Sequence, residues 1–304
     1  VADRLFDEKT LRKLEQLALI AHRVRAGVMK GERRSTKRGT SIEFADYRDY
    51  TRGDDLRRLD WNIYARLEKP FIKLLEEEED LSVHVLLDAS ESMNWPPDAG
   101  DPFAPADAHK FRYGQRLAAA LGYIGLSTSD RVAVGLLRDH RLADRWGPTR
   151  GRGQTLRLLA WVEAQQTSGT TDLSAALSDY ALRGGRPGLA LVISDMLSPN
   201  GYRDGLNALQ GRGYEVALIH LLAPDEVMPV LAGDLRLVDS ETGNGQDVTI
   251  DGAMRDLYSR RLQAWRDEMA SYCLNRDMHY VAVETGTPWE NVILFALRRA
   301  GVVK

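Results

Sequence analysis

Residues 81–93, LSVHVLLDASESM, decide the reading of the fold. The first eight form an apolar, β-rich run of the kind that fills a parallel sheet covered on both faces. Comparable runs recur at Arg131–Leu137, Leu189–Asp195, Glu215–Leu222 and Met278–Val283. Helical periodicity falls between or after them, at Lys110–Ser127, Thr155–Gln165, Leu173–Leu182, Tyr202–Arg212, Met254–Leu274 and Pro288–Ala300. This alternation predicts an α/β fold with a doubly wound, mostly parallel sheet and helices on both faces. Residues 234–250, DLRLVDSETGNGQDVTI, interrupt it as two short strands joined by a Gly/Asn turn, a β-hairpin insertion.

Upstream the signal is weaker. Apolar residues from Leu11 to Val28 recur mostly every three or four positions, which predicts an amphipathic helix over 10–29 opened by Thr10. A loop follows: residues 23–38 hold seven bases against the single acid Glu32. Beyond it the spacing predicts a turn at Gly53, a cap at Asp54 or Asp55, a short helix through Arg66 and a strand at Phe71–Leu75, ended by the acid run Glu76–Asp80. The expected division is a helical and irregular N-terminal extension over 1–80 and an α/β domain over 81–304.

Composition narrows the function classes. With 304 residues, 43% apolar and 28% charged, the chain has ample material for a core. The 41 basic and 44 acidic residues leave a net charge of −3, which excludes a globally cationic nucleic-acid binder. That balance is a cancellation between the basic loop and the acid run. The single cysteine, Cys273, allows neither an internal disulfide nor a thiolate zinc site, so a reducing compartment is expected, the cytoplasm or the periphery of the inner membrane. The thiol lies in no nucleophile motif and is expected to be inert. The longest apolar stretch, Leu117–Leu126, is too short to span a membrane, and the start, VADRLFDEKT, is acidic with no apolar core, unlike a signal peptide.

Chemistry concentrates just after the first core strand. Asp88, Ser90 and Ser92 stand as D-x-S-x-S on the loop leaving its carboxyl end, the edge at which open α/β sheets bind ligands. One carboxylate and two hydroxyls are hard oxygen donors, suited to Mg²⁺ and, less selectively, to Mn²⁺ or Ca²⁺. Thr170, Thr171 and Asp172 at a helix start, and Asp195 at the end of a later strand, are placed to join the same rim. Enzyme signatures are missing: there is no G-x-x-x-x-G-K-[ST] loop and no H-E-x-x-H among the six histidines, and Ser90 stands where a haloacid dehalogenase phosphatase needs its second carboxylate. His84, inside the first strand, reads as a satisfied core residue.

These residues resemble the metal-ion-dependent adhesion site of von Willebrand factor A domains. The resemblance implies Ser90, Ser92 and Thr171 as direct ligands, with Asp88 and Asp195 binding directly or through water; the usual Gly-Gly-Thr reads Gly-Thr-Thr at 169–171. Residues 39–93 further resemble the signature of a bacterial family known as "domain of unknown function 58", through Glu43, Phe44, Tyr47, Arg48, Tyr50, Gly53, Asp54, Asp55, Arg57, Asp60, Trp61, Ala65 and Arg66. The signature reads either as a partner surface or as a structural clasp, with its Arg and Asp side chains networked under Tyr47 and Trp61. The family resemblance implies a non-enzymatic adaptor that holds a weakly bound divalent ion, captures an acidic residue of a protein partner and works with a MoxR-type AAA+ ATPase or its client. Two alternatives remain open at this stage: a metal-dependent hydrolase at the same rim, and an anionic-surface or nucleic-acid binder acting through residues 23–38.

Overall fold

The computed structural model describes residues 6, 8–21, 42–51, 54, 59–77, 81–96, 108–170 and 172–304. They fall into two compact units, one of residues 1–27 with 81–304 and one of residues 28–80.

The larger unit is built on a six-stranded sheet: β3 (Ser82–Asp88), β4 (Arg131–Arg138), β5 (Arg141–Thr149), β6 (Leu189–Ser194), β7 (Glu215–Leu222) and β10 (His279–Glu284). The spatial order is β10-β7-β6-β3-β4-β5. Five strands run parallel, and β5 closes one edge antiparallel to β4. Every residue of β3, β6 and β7 is buried, as strands covered on both faces require.

Side chains alternate between two apolar clusters. Val83, Val85 and Leu87 face one, under the helices Lys110–Ser127 (α3) and Thr155–Glu163 (α4) and the helical C-terminal turns from Trp289. Leu86 faces the other, under Leu173–Arg183 (α5), Arg203–Gly211 (α6) and the end of Gly252–Leu274 (α8). In α3 the glycines Gly122 and Gly125 let Leu158 and Val132 approach: an added Cβ would lie 2.7 Å from a side-chain carbon of each. Between β7 and α8 the chain forms a short helix, Pro224–Val227 (α7), and then the expected hairpin, β8 (Gly233–Val238) and β9 (Gly245–Ile250), which among the described residues pair only with each other.

Three expectations for the larger unit change. The N-terminal helix is short, Glu8–Leu14 (α1). Beyond it Leu17, Leu19 and Ala21 are buried at every second position, and Leu19 bridges Val303 antiparallel, so strand-like alternation replaces the helical spacing there. The boundary expected after residue 80 is kept, but residues 1–27 group with the larger unit and only 28–80 separate as the smaller one. The edge strand β5 has no counterpart in the sequence reading, because RLADRWGPT is charged and only partly buried. Its entry is a two-residue turn in which Asp139 and His140 both have positive φ, 49° and 66°, as a right-twisted hairpin demands. The C-terminal segment is a composite: Trp289–Asn291 is α-helical, Val292–Ala296 is a π turn and Leu297–Arg299 is α-helical again.

In the smaller unit, β1 (Ile42–Asp49) pairs antiparallel with β2 (Phe71–Glu77), with a bulge between Phe44 and Asp46. Between them lies α2 (Trp61–Leu67). Its cap is Asp60, not Asp54 or Asp55: the Asp60 carboxylate accepts the N–H groups of Asn62 and Ile63 at 2.9 and 3.2 Å. Asp54 instead accepts from the N–H and hydroxyl of Thr51, both at 2.8 Å. Among the described residues no helix is long and apolar enough to cross a membrane.

Candidate functional site

The order of strands places the site. The chain leaves β3 toward β4 on one side and later returns as β6 on the other, so the crevice between the carboxyl ends of β3 and β6 is the sheet's switch point. Asp88 ends β3, and Asp195 directly follows β6.

Asp88 is 1% exposed. Its Oδ1 accepts from the Ser90 N–H at 3.0 Å and the Ser90 hydroxyl at 2.8 Å, and its Oδ2 accepts from the Ser194 hydroxyl at 2.7 Å. The Ser90 and Ser92 oxygens lie 3.1 Å apart. A single 3-10 turn, Glu91–Met93, makes this compactness possible by carrying the chain sharply away after Ser90. Burial, and then the nearby Asp195 carboxylate, push the Asp88 carboxyl up to about 6, against the donors that favour its charge.

The loop before α5 is fastened to this turn. Ser168 N–H donates to the Ala89 carbonyl at 3.0 Å, and Glu91 N–H to the Gly169 carbonyl at 3.1 Å. Gly169 has φ +75°, and a Cβ there would lie 2.1 Å from Asp139 Oδ1, which accepts the Thr170 N–H at 3.1 Å. Asp172 caps α5 through the Ala175 N–H at 2.9 Å and accepts from Asn200 at 2.7 Å. The predicted rim thus brings together Asp88, Ser90, Ser92 and the 168–172 loop. Thr171 itself lies outside the described residues.

Asp195 has partners that the sequence did not signal. Its Oδ1 accepts the Leu197 N–H at 3.0 Å, and its Oδ2 receives the Lys110 ammonium at 2.7 Å. The same ammonium donates to Glu226 Oε1 at 2.7 Å, and Glu226 Oε2 accepts the Ala223 N–H at 2.8 Å. Lys110 and Asp195 are fully buried, while Glu226 keeps 20% of its side chain exposed. Burial works against the lysine's charge, but the two carboxylates outweigh it and hold the ammonium above its ordinary pKa. Sequence reasoning missed Lys110, Ser194 and Glu226. A lone lysine at a helix start carries no signal of partners 85 and 116 residues away.

The donor set suits a small hard cation. Octahedral Mg²⁺ at about 2.0–2.1 Å from its ligands sets neighbouring ligand oxygens roughly 3 Å apart. The Asp88–Ser90 and Ser90–Ser92 separations are 2.8 and 3.1 Å. Among the described residues no group of three His, Cys, Asp or Glu side chains could hold a metal, and the oxygens that converge with Asp88 are the hydroxyls of Ser90 and Ser92.

Of the signature residues, Glu43, Phe44, Tyr47 and Arg48 lie on β1, and Tyr50 N–H donates to the Pro70 carbonyl at 2.9 Å. Gly53, Asp55 and Arg57 lie outside the described residues, as does the basic stretch 23–38. Trp61 is 62% exposed and edge-on to Tyr64, and Arg66 on the same helix is also exposed; the expected charge network draws on Asp55 and Arg57 and so lies partly outside the described residues.

Residues 46–268 match the family described as "Protein of unknown function DUF58". The chain belongs to the DUF58 family. A DUF58 relative, "Uncharacterized protein Rv1480" of Mycobacterium tuberculosis, is 27% identical over 302 residues, 98% of this chain and 92% of the relative. "Uncharacterized protein MAV169" of Mycobacterium avium is 30% identical over 134 residues, 44% of this chain and 79% of the relative. Among solved structures, the conserved hypothetical protein BatB from Bacteroides thetaiotaomicron matches at 13% identity with a TM-score of 0.37, over 72% of this chain and 96% of its own. An aerotolerance-related membrane protein from Bacteroides fragilis matches at 17% and 0.33, over 59% and 87%. Likenesses this distant carry no weight for function.

Proposed function

We propose that this DUF58 chain is a non-enzymatic protein-interaction adaptor of the von Willebrand factor A type, acting in the cytoplasm with a MoxR-type AAA+ ATPase in the assembly or maturation of protein complexes. The observation that carries the reading is the convergence of Asp88, Ser90 and Ser92 oxygens at the switch point of a mostly parallel sheet. Asp88, Ser90 and Ser92 would hold a divalent ion, Mg²⁺ before Mn²⁺ or Ca²⁺, with Thr171 and Asp195 beside it. When bound, the ion supplies attraction for a partner's carboxylate, because hydroxyl ligands leave its charge largely uncompensated. Ser194 fixes the orientation of the Asp88 carboxylate, and Lys110 neutralises Asp195, so the rim does not collect a second unpaired anion.

The test is retention of a MoxR-type AAA+ ATPase from the same organism, with Mg²⁺ or with EDTA, by wild type and by the Ser90→Ala/Ser92→Ala variant. The reading expects retention only by wild type with Mg²⁺. Equal retention under all four conditions ends the metal-bridged account.

A further inference from the structure

The first half of α8 carries an apolar stripe that stays open to solvent among the described residues. Met254, Leu257, Tyr258, Arg261, Leu262 and Trp265 recur at the spacing that lines one helical face, yet residues 252–261 are all exposed. The same six residues, closed on one side by Leu197, line a groove of about 380 Å³. Leu197, Met254, Leu257 and Tyr258 are each 38–45% exposed.

The groove adjoins Asp195 and the ion cluster that holds it. Leu197 lies two residues after Asp195 and donates its N–H to that carboxylate. On the other wall, the Tyr258 hydroxyl donates to the Glu226 carbonyl, and the Glu226 side chain shares Lys110 with Asp195. The groove's charge is one-sided as well. Arg261 is its single ionic lining residue, and among the described residues no carboxylate pairs with it.

We infer that this groove receives the apolar side chains of a partner-protein segment whose acidic residue is held at the Asp88–Ser90–Ser92 rim, with Arg261 drawing a second carboxylate of the same segment. The occupant is therefore an extended or helical stretch of partner with acids beside apolar residues. A basic or purely polar segment would leave Arg261 opposed and the stripe wet. The inference rests on the metal-bridged reading above and adds to it what the partner must look like.

The test selects random 12-residue peptides displayed on phage against the immobilised full chain in Mg²⁺, then measures the enriched peptides as synthetic fluorescent probes. Expected is enrichment of sequences with an acid beside two or more apolar residues, and binding that falls at least tenfold in Leu257→Lys, in Arg261→Glu and in EDTA. Both positions are on the surface, and unchanged thermal melting of the variants checks that they fold. Acidic peptides that need Mg²⁺ but bind Leu257→Lys and Arg261→Glu like wild type overturn the groove and leave the metal reading standing. Peptides lost in both groove variants but indifferent to EDTA and to Ser90→Ala/Ser92→Ala overturn the bridged arrangement together with the metal reading. Concentration-dependent dimers that vanish in Leu257→Lys would assign the groove to a second copy, and failure to enrich any such peptide would leave it without the occupant proposed; either result overturns the inference.

Discussion

Replacing Lys110 with methionine removes a fully buried cation and leaves both of its carboxylates behind. The ammonium lies 2.7 Å from Asp195 and from Glu226. Glu226 keeps some access to water, but Asp195 has none and among the described residues retains only the Leu197 N–H. Breaking a buried ion pair from one side costs about 3–5 kcal/mol, because the surviving charge has lost its solvent and its partner together. Lys110→Met is therefore expected to lose about that much stability in urea unfolding followed by tryptophan fluorescence at pH 7. The double variant Lys110→Met/Asp195→Asn removes both charges, and its amide oxygen still accepts from Leu197, so it should recover about 2 kcal/mol of the loss. A single variant within about 1 kcal/mol of wild type, or a double variant worse than the single, would refute the reasoning.

Gly169→Ala forces a side chain into the left-handed region and against Asp139; it should cost about 2–3 kcal/mol and abolish any Mg²⁺-dependent rise in melting temperature. Burial pushes the His220 imidazole down to about 4, from 6.5 when free. Its contribution is thus complete above pH 6.5 and lost as pH falls toward 4, an effect of up to about 3 kcal/mol at roughly 1.4 kcal/mol for each tenfold change in proton affinity. His220→Phe should flatten melting temperature over that window, at a cost near 1 kcal/mol at pH 7 for the bond to Tyr280; an unchanged slope in the variant counts against it. Burial raises the Cys273 thiol to about 11, so at pH 8 it should react with a disulfide reagent no faster than the chain unfolds. Rapid labelling of the native protein would contradict that burial.

What could be read from the sequence followed the range of the interactions involved. Buried parallel strands announce themselves because every residue must be apolar, and β3, β6 and β7 were legible almost to the residue. The edge strand β5 was not, since an edge tolerates Arg141, Asp144 and Arg145. Leu14 and Leu17 fit a helical period as well as they fit a helix end followed by alternation, and only the bridge from Leu19 to Val303 decides between the two. At the site, Asp88, Ser90 and Ser92 were legible because one loop carries all three. The Lys110–Asp195–Glu226 triad joins three elements across more than a hundred residues, and nothing local in any of them records the other two.

The hairpin of β8 and β9 has one more consequence. Its first and last residues, Gly233 and Ile250, face each other across the ladder, so the chain departs and returns at neighbouring backbone positions. The excursion therefore adds no crossover to the sheet, and its tip at 239–244 is the place where foreign sequence can be spliced in without rethreading the core. The excursion follows β7 and the short helix α7, so a reporter grafted there would leave the order of the six-stranded sheet unchanged.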